Sequence, residues 1–132
     1  MKKIIIIILV ILFALIAAGT CAFGIWSYGN LHWDKGYDKT LKKLGAVERQ
    51  FTLPDGSVIH SGEIRNDKPA LLHIHGQMAE WESYAPVLTF LSENWHIYAV
   101  DVYGHGQSSH DPELYYLDRN GDDLIRFINE VI

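Results

Sequence analysis

The chain has 132 residues, 11 Lys and Arg against 16 Asp and Glu, and a formal net charge of −5. That acidic balance argues against nucleic acid as a partner. The single cysteine, Cys21, excludes an internal disulfide framework. With an apolar N-terminus set aside, roughly 100 residues remain, enough for one domain.

Met1-Lys2-Lys3 precedes an uncharged run from Ile4 to Trp26. At about 1.5 Å per residue the run makes roughly 34 Å of helix, enough to cross a bilayer core. Ile4 to Ile8 are β-branched, but in lipid only a helix satisfies its own backbone, so local propensity yields. Residues 1–26 are therefore expected to be a membrane anchor. The paired lysines keep the N-terminus cytoplasmic and place the following domain on the extracytoplasmic side. The alternative is a signal peptide cleaved near Ala17-Ala18-Gly19, which would release a secreted domain.

Residues 27–46 read as a helical connector. Trp33, Tyr37, Leu41 and Leu44 recur at steps of four, four and three, one narrow apolar stripe among lysines. It either lies on the domain or beds against lipid headgroups. Gly45 is its expected stop.

Residues 47–132 read as an α/β domain. Val47 to Ile64 forms a hairpin turned at Pro54-Asp55-Gly56-Ser57. Leu71–Ile74 and Ile97–Asp101 are apolar strands bridged by a helix from about Ser83 to Ser92. Its apolar face is Trp81, Tyr84, Leu88, Leu91 and Trp95, and Pro86 falls in its first turn. Strand, helix, strand at this spacing predicts parallel neighbours in one sheet. A last helix, from about Leu117 to Ile132, carries Leu117, Leu124, Phe127, Ile128 and Val131 on its apolar face.

Two motifs end those strands. His75-Gly76-Gln77 follows the first, and Asp101-Val102-Tyr103-Gly104-His105-Gly106-Gln107-Ser108-Ser109 follows the second. With the hairpin before them and a helix with an early tryptophan between them, they resemble the start of a serine α/β-hydrolase. The likeness is to the lysophospholipase- and esterase-like branch, over about Val47 to Ile132.

The resemblance implies an ester or similar acyl substrate, small or lipid-like. It also implies that the loop after the third strand supplies an oxyanion-hole backbone N–H. That donor maps to Gln77, with Met78 the alternative if the loop register differs by one. Gly76 is expected to let the backbone turn sharply and His75 to precede it at the strand end. The Gly104–Gly106 loop is expected to be structural, with Ser108 and Ser109 poor nucleophiles because neither sits on a strand-to-helix elbow. His73, His75 and His105 could approach one another, but Gln77-Met78-Ala79 adds no further ligand. Neither a metal nor another cofactor is expected.

No G-x-S-x-G occurs, so the serine, acid and catalytic histidine of the family are not among these residues. The domain is expected to be a truncated hydrolase, its terminal helix lacking a sheet neighbour and exposing its apolar face. The competing expectation is a non-catalytic anchored module that binds a partner.

Overall fold

A computed structural model describes residues 2–31 and 36–132. The chain divides into two units, residues 1–35 and 36–132.

The first unit contains α1, Lys2–Leu31, long and apolar enough to cross a membrane. Its large side chains from Ile4 to Trp26 are exposed, an arrangement that costs nothing in lipid and much in water. The helix does not stop at Trp26 as the end of the apolar run suggested. It continues through Ser27-Tyr28-Gly29-Asn30-Leu31, because nothing there breaks the backbone hydrogen-bond ladder.

The second unit begins with α2, Tyr37–Lys43, much shorter than the connector helix expected from the stripe. Trp33 lies outside the described residues. Leu41 is buried, and Tyr37 and Leu44 pack around the same core, so this part of the stripe lies on the domain.

Four strands form one open sheet: β1 Val47–Thr52, β2 Val58–Ile64, β3 Ala70–Ile74 and β4 His96–Val100. Their order is β1-β2-β4-β3. The hairpin is antiparallel, with Phe51 opposite Ile59, and β2 runs antiparallel to β4, with Gly62 opposite Ala99. β3 and β4 are parallel neighbours, with Leu71 level with Ile97, as the βαβ spacing required.

One face of the sheet is covered by α2, a 3-10 turn Trp81–Tyr84 and α3, Ala85–Leu91. The α-helix thus begins later than Ser83. Pro86 sits in its first turn, the entry winds as a 3-10 turn, and the Trp81 N–H, unpaired within any helix start, is taken by Asp101. Leu41, Ile64, Trp81, Ala85, Leu88, Ile97 and Ala99 make a continuous apolar core there. Trp81 lies directly over Gly62, where a Cβ would stand 2.2 Å from the ring. The small Gly62–Ala99 pair is what admits the indole. Trp95, expected on this face, is instead 37% exposed in the turn beyond the helix.

The other face is covered by α4, Leu117–Val131. Phe127 is buried edge-on to Phe51 and Tyr98, and Leu124 packs beside it. Only two residues of the expected apolar face of five are therefore used. Leu117, Ile128 and Val131 are exposed, while Phe127 is 1% exposed even though β3 is an edge strand. Polar bonds fix the helix as well. Asp123 is buried, and accepts from the Tyr103 hydroxyl at 2.9 Å and from Arg119 Nε at 2.6 Å. Arg119 also donates to Asp55 in the hairpin turn. The Ser57 hydroxyl donates to the Asp55 carboxylate and contacts the Tyr103 hydroxyl. Those bonds from Ser57 and Arg119 hold the Asp55 carboxyl down at about 2.

Candidate active site

The C-terminal ends of β3 and β4 lie side by side, which is where open α/β sheets place their chemistry. Two loops leave this edge, and each follows from the residues at the strand end.

The loop after β4 is organised around Asp101, 1% exposed. Its Oδ2 accepts from the His60 ring at 2.8 Å and from the Gln107 N–H at 3.4 Å, and its Oδ1 accepts from the Trp81 N–H at 2.8 Å. One carboxylate thereby joins β2, the Gly loop and the entry to α3. Gly106 has φ of 49°, and a Cβ there would meet Asp101 Oδ2 at 2.0 Å. Only glycine allows this approach.

Ser108 is buried. Its hydroxyl donates to the Asp101 carbonyl at 2.6 Å and accepts from the His60 N–H at 2.8 Å. The Ser109 hydroxyl accepts from the Val58 N–H at 2.8 Å. Both serines continue the β2 edge as hydrogen-bond partners, and among the described residues no imidazole addresses either hydroxyl.

The other side of His60 is different. Its ring is 2% exposed and Nε2 has no hydrogen-bond partner among the described residues, with Glu48 Oε2 3.6 Å away. Glu82 faces the same region. Burial, then Glu80, Glu48 and Asp101, push its carboxyl above the usual range.

The loop after β3 is built oppositely. The His75 side chain is fully buried, with Nδ1 2.7 Å from the Gly76 carbonyl and Nε2 accepting from the Val102 N–H at 3.1 Å. The Gly76 N–H donates to the Tyr84 hydroxyl at 3.1 Å. The left-handed residue of this turn is Met78, with φ of 59°, rather than Gly76. Gly76 serves close approach instead, since a Cβ would lie 3.3 Å from the Tyr84 hydroxyl oxygen. Gln77 is exposed and Met78 is 92% exposed. Neither backbone N–H finds an acceptor among the described residues.

A polar groove of about 350 Å³ runs between the two loops, lined by Met78, Glu80, Ser83, Gly104, His105 and Gly106. On the other side of Gly104 and His105 lies an apolar cavity of about 470 Å³, walled by Ile74, Val102, Tyr115, Leu117 and Leu124.

Of the three histidines considered together in the sequence, His73 turns to Tyr84 while His75 and His105 meet. His73 packs its ring on Tyr84 at 4.6 Å, and burial together with the neighbouring His75 holds its pKa below the ordinary imidazole value. His75 faces His105, with ring centroids 4.9 Å apart. No cluster of three or more metal-ligating side chains occurs among the described residues.

Sequence reasoning missed His60, Tyr84 and the central place of Asp101. An available signal was Asp101 itself, a carboxylate at the end of a strand too apolar to leave it unpaired.

No protein-family model and no curated protein matches the chain. Solved structures do. A bacterial membrane phospholipase A, described as a virulence factor, superposes with a TM-score of 0.62 at 23% identity, covering 89% of this chain and 39% of its own. A haloalkane dehalogenase loop variant from Bradyrhizobium elkanii gives 0.59 at 24%, covering 65% and 29%. The thioesterase domain from the curacin biosynthetic pathway gives 0.58 at 24%, covering 66% and 32%. This chain thus spans only about a third of the length of the structures it matches. All three relatives are α/β-hydrolases, and the mixed sheet with its two strand-end loops has the fold of the N-terminal portion of an α/β-hydrolase.

Proposed function

We propose that this chain is the N-terminal part of a membrane-anchored hydrolase that cleaves ester or similar acyl bonds. Helix α1 anchors it with the domain outside the cytoplasm, and the serine nucleophile, its acid and its histidine come from residues other than these 132. The Gln77 N–H is the first oxyanion donor, with Met78 N–H as the alternative.

The observation that carries this reading is the pair of uncommitted backbone amides beside the groove at the strand ends. Backbone donors are normally paired. An open N–H just beyond a strand end is free to stabilise an oxyanion, which is the role proposed for Gln77, or for Met78 if the register differs by one. The apolar cavity on the other side of His105 suits a lipid-like acyl portion, and one structural neighbour is a membrane phospholipase.

The test uses the whole open reading frame that contains these residues. A fluorophosphonate probe should label one serine outside them, and Gln77→Pro, which removes the N–H, should lower kcat by about 10²–10³. That N–H bonds to nothing among the described residues, so the substitution removes no internal hydrogen bond, and a fall in kcat with the unfolding midpoint retained separates the donor's loss from strain of the loop. No labelling of the longer product would favour the non-catalytic anchored module. Labelling at Ser108 or Ser109 would overturn the proposed site. For the anchor, the protein should stay in the membrane pellet after carbonate extraction, whereas a shortened soluble product would mean cleavage.

A further inference from the structure

We propose that His75 is a positioning residue that fixes the direction of the Gln77 N–H through its neutral Nδ1–H tautomer, with the Tyr84 hydroxyl securing the preceding peptide. The functional meaning of this clamp rests on the oxyanion reading of Gln77; its geometry does not.

The tautomer follows from the donors present. The Val102 N–H can only donate, and it points at His75 Nε2 from 3.1 Å. Nε2 must then present a lone pair, so the ring proton is on Nδ1. Nδ1 lies 2.7 Å from the Gly76 carbonyl oxygen and donates to it. Asp101 Oδ1 is also near, 3.9 Å from Nε2, but that distance is beyond a hydrogen bond and Oδ1 already accepts from the Trp81 N–H. His105 lies tilted against the ring without bonding to it.

The Gly76 carbonyl and the Gln77 N–H belong to one peptide unit. No peptide bond is cis among the described residues, so these two groups point in opposite directions. Holding the carbonyl against the buried imidazole therefore turns the Gln77 N–H away from it. Were this peptide to flip, a carbonyl would take the place of the donor and repel an oxyanion. The imidazole raises the cost of that flip by one hydrogen bond made in a dry environment.

Tyr84 secures the other side of the glycine. Its hydroxyl accepts from the Gly76 N–H at 3.1 Å, and its ring is held against His73. Both peptide planes flanking Gly76 are thus tied to side chains, and the next free backbone donor along the chain is that of Gln77.

The experiment uses the product of the whole open reading frame that contains these residues, in detergent micelles, with ¹⁵N-labelled histidine and backbone. Long-range ¹⁵N–¹H spectra should show His75 protonated at Nδ1 and bare at Nε2. Tyr84→Phe should speed exchange of the Gly76 amide about fivefold, the factor expected from one net hydrogen bond, and leave the β4 amides as they were. His75→Asn, whose side-chain amide can still donate, should keep the Gln77 amide resonance near its wild-type position, and His75→Phe should move it. An Nε2–H tautomer in the wild type, or unchanged Gly76 exchange in Tyr84→Phe, would overturn the clamp. If His75→Phe does not fold, those two measurements still decide. Serine-probe labelling of the longer reading frame is a separate readout, so a clamp found without labelling removes the hydrolase reading alone.

Discussion

The two loops at the end of the parallel strands use the same kinds of residue for opposite ends. After β4, nearly every polar group is spent internally. The Asp101 carboxylate collects bonds from three elements, and Ser108 and Ser109 close the loop back onto β2. After β3, side chains grip the start of the loop at Gly76, and then Gln77 and Met78 are left open. A saturated loop is a scaffold. An unsaturated one beside it, held rigid at its base, is where a ligand can compete for the remaining donors. The difference teaches that glycine content does not separate the two roles; the fate of each N–H does.

The largest expected effect breaks the scaffold. Asp101→Ala would strand the buried His60 ring and leave the Trp81 and Gln107 N–H groups unpaired. Removing one member of a buried pair costs about 3–5 kcal/mol, so urea denaturation should show a shifted midpoint or no cooperative unfolding. If the loss stays below about 1 kcal/mol, Asp101 is not the centre of this loop.

Gly106→Ala tests the same loop through sterics. The new Cβ would fall on the Asp101 carboxylate in a left-handed backbone, for a cost of roughly 1–3 kcal/mol on the same denaturation measurement. The equivalent probe of the open loop should go the other way. Met78→Gly relieves a left-handed conformation worth about 1–2 kcal/mol and gives back about 0.4–1 kcal/mol in unfolded-state entropy, so a small net stabilisation is expected. A destabilised Met78→Gly would mean that the Met78 side chain, although exposed, holds the loop.

The smallest effect concerns pH. His73, on β3 just before the open loop, has a folded pKa below its ordinary value of 6.5, with burial the main cause and His75 the second. The unfolded chain takes up that proton first as pH falls. The stability from His73 is therefore complete above about 6.5 and is lost progressively as pH drops from there toward the lowered folded value. Thermal melts across that window should show His73→Phe flattening the decline. An unchanged slope would place the acid sensitivity elsewhere.

Much of this was legible in the residues. The apolar runs ending at His75 and Asp101, separated by one helix length, require a parallel pair because a right-handed crossover admits little else. The uncharged stretch Ile4–Trp26 requires a helix of bilayer length by composition alone. The hairpin followed from Pro54-Asp55-Gly56, whereas the structural character of the Gly104–Gly106 loop was an expectation from the family resemblance.

What the linear chain could not show were the partners brought together across the fold. Periodicity put Leu117, Ile128 and Val131 on one helix face with Phe127, yet only the packing of α4 against Phe51 and Tyr98 decided that Phe127 is covered and the others are not. It likewise could not show Asp123 buried: Arg119, four residues back on the same helix face, reads as an ordinary surface pair, and the Tyr103 partner that makes burial tolerable is remote in the chain. Nor could a Tyr eight residues after Gly76 be read as its hydrogen-bond acceptor. Local sequence determines which groups need satisfying, since every strand end and turn carries fixed donors and acceptors. Which of them are satisfied, and which two amides are left over, depends on distances that exist only once β2, β3, β4 and α3 have packed.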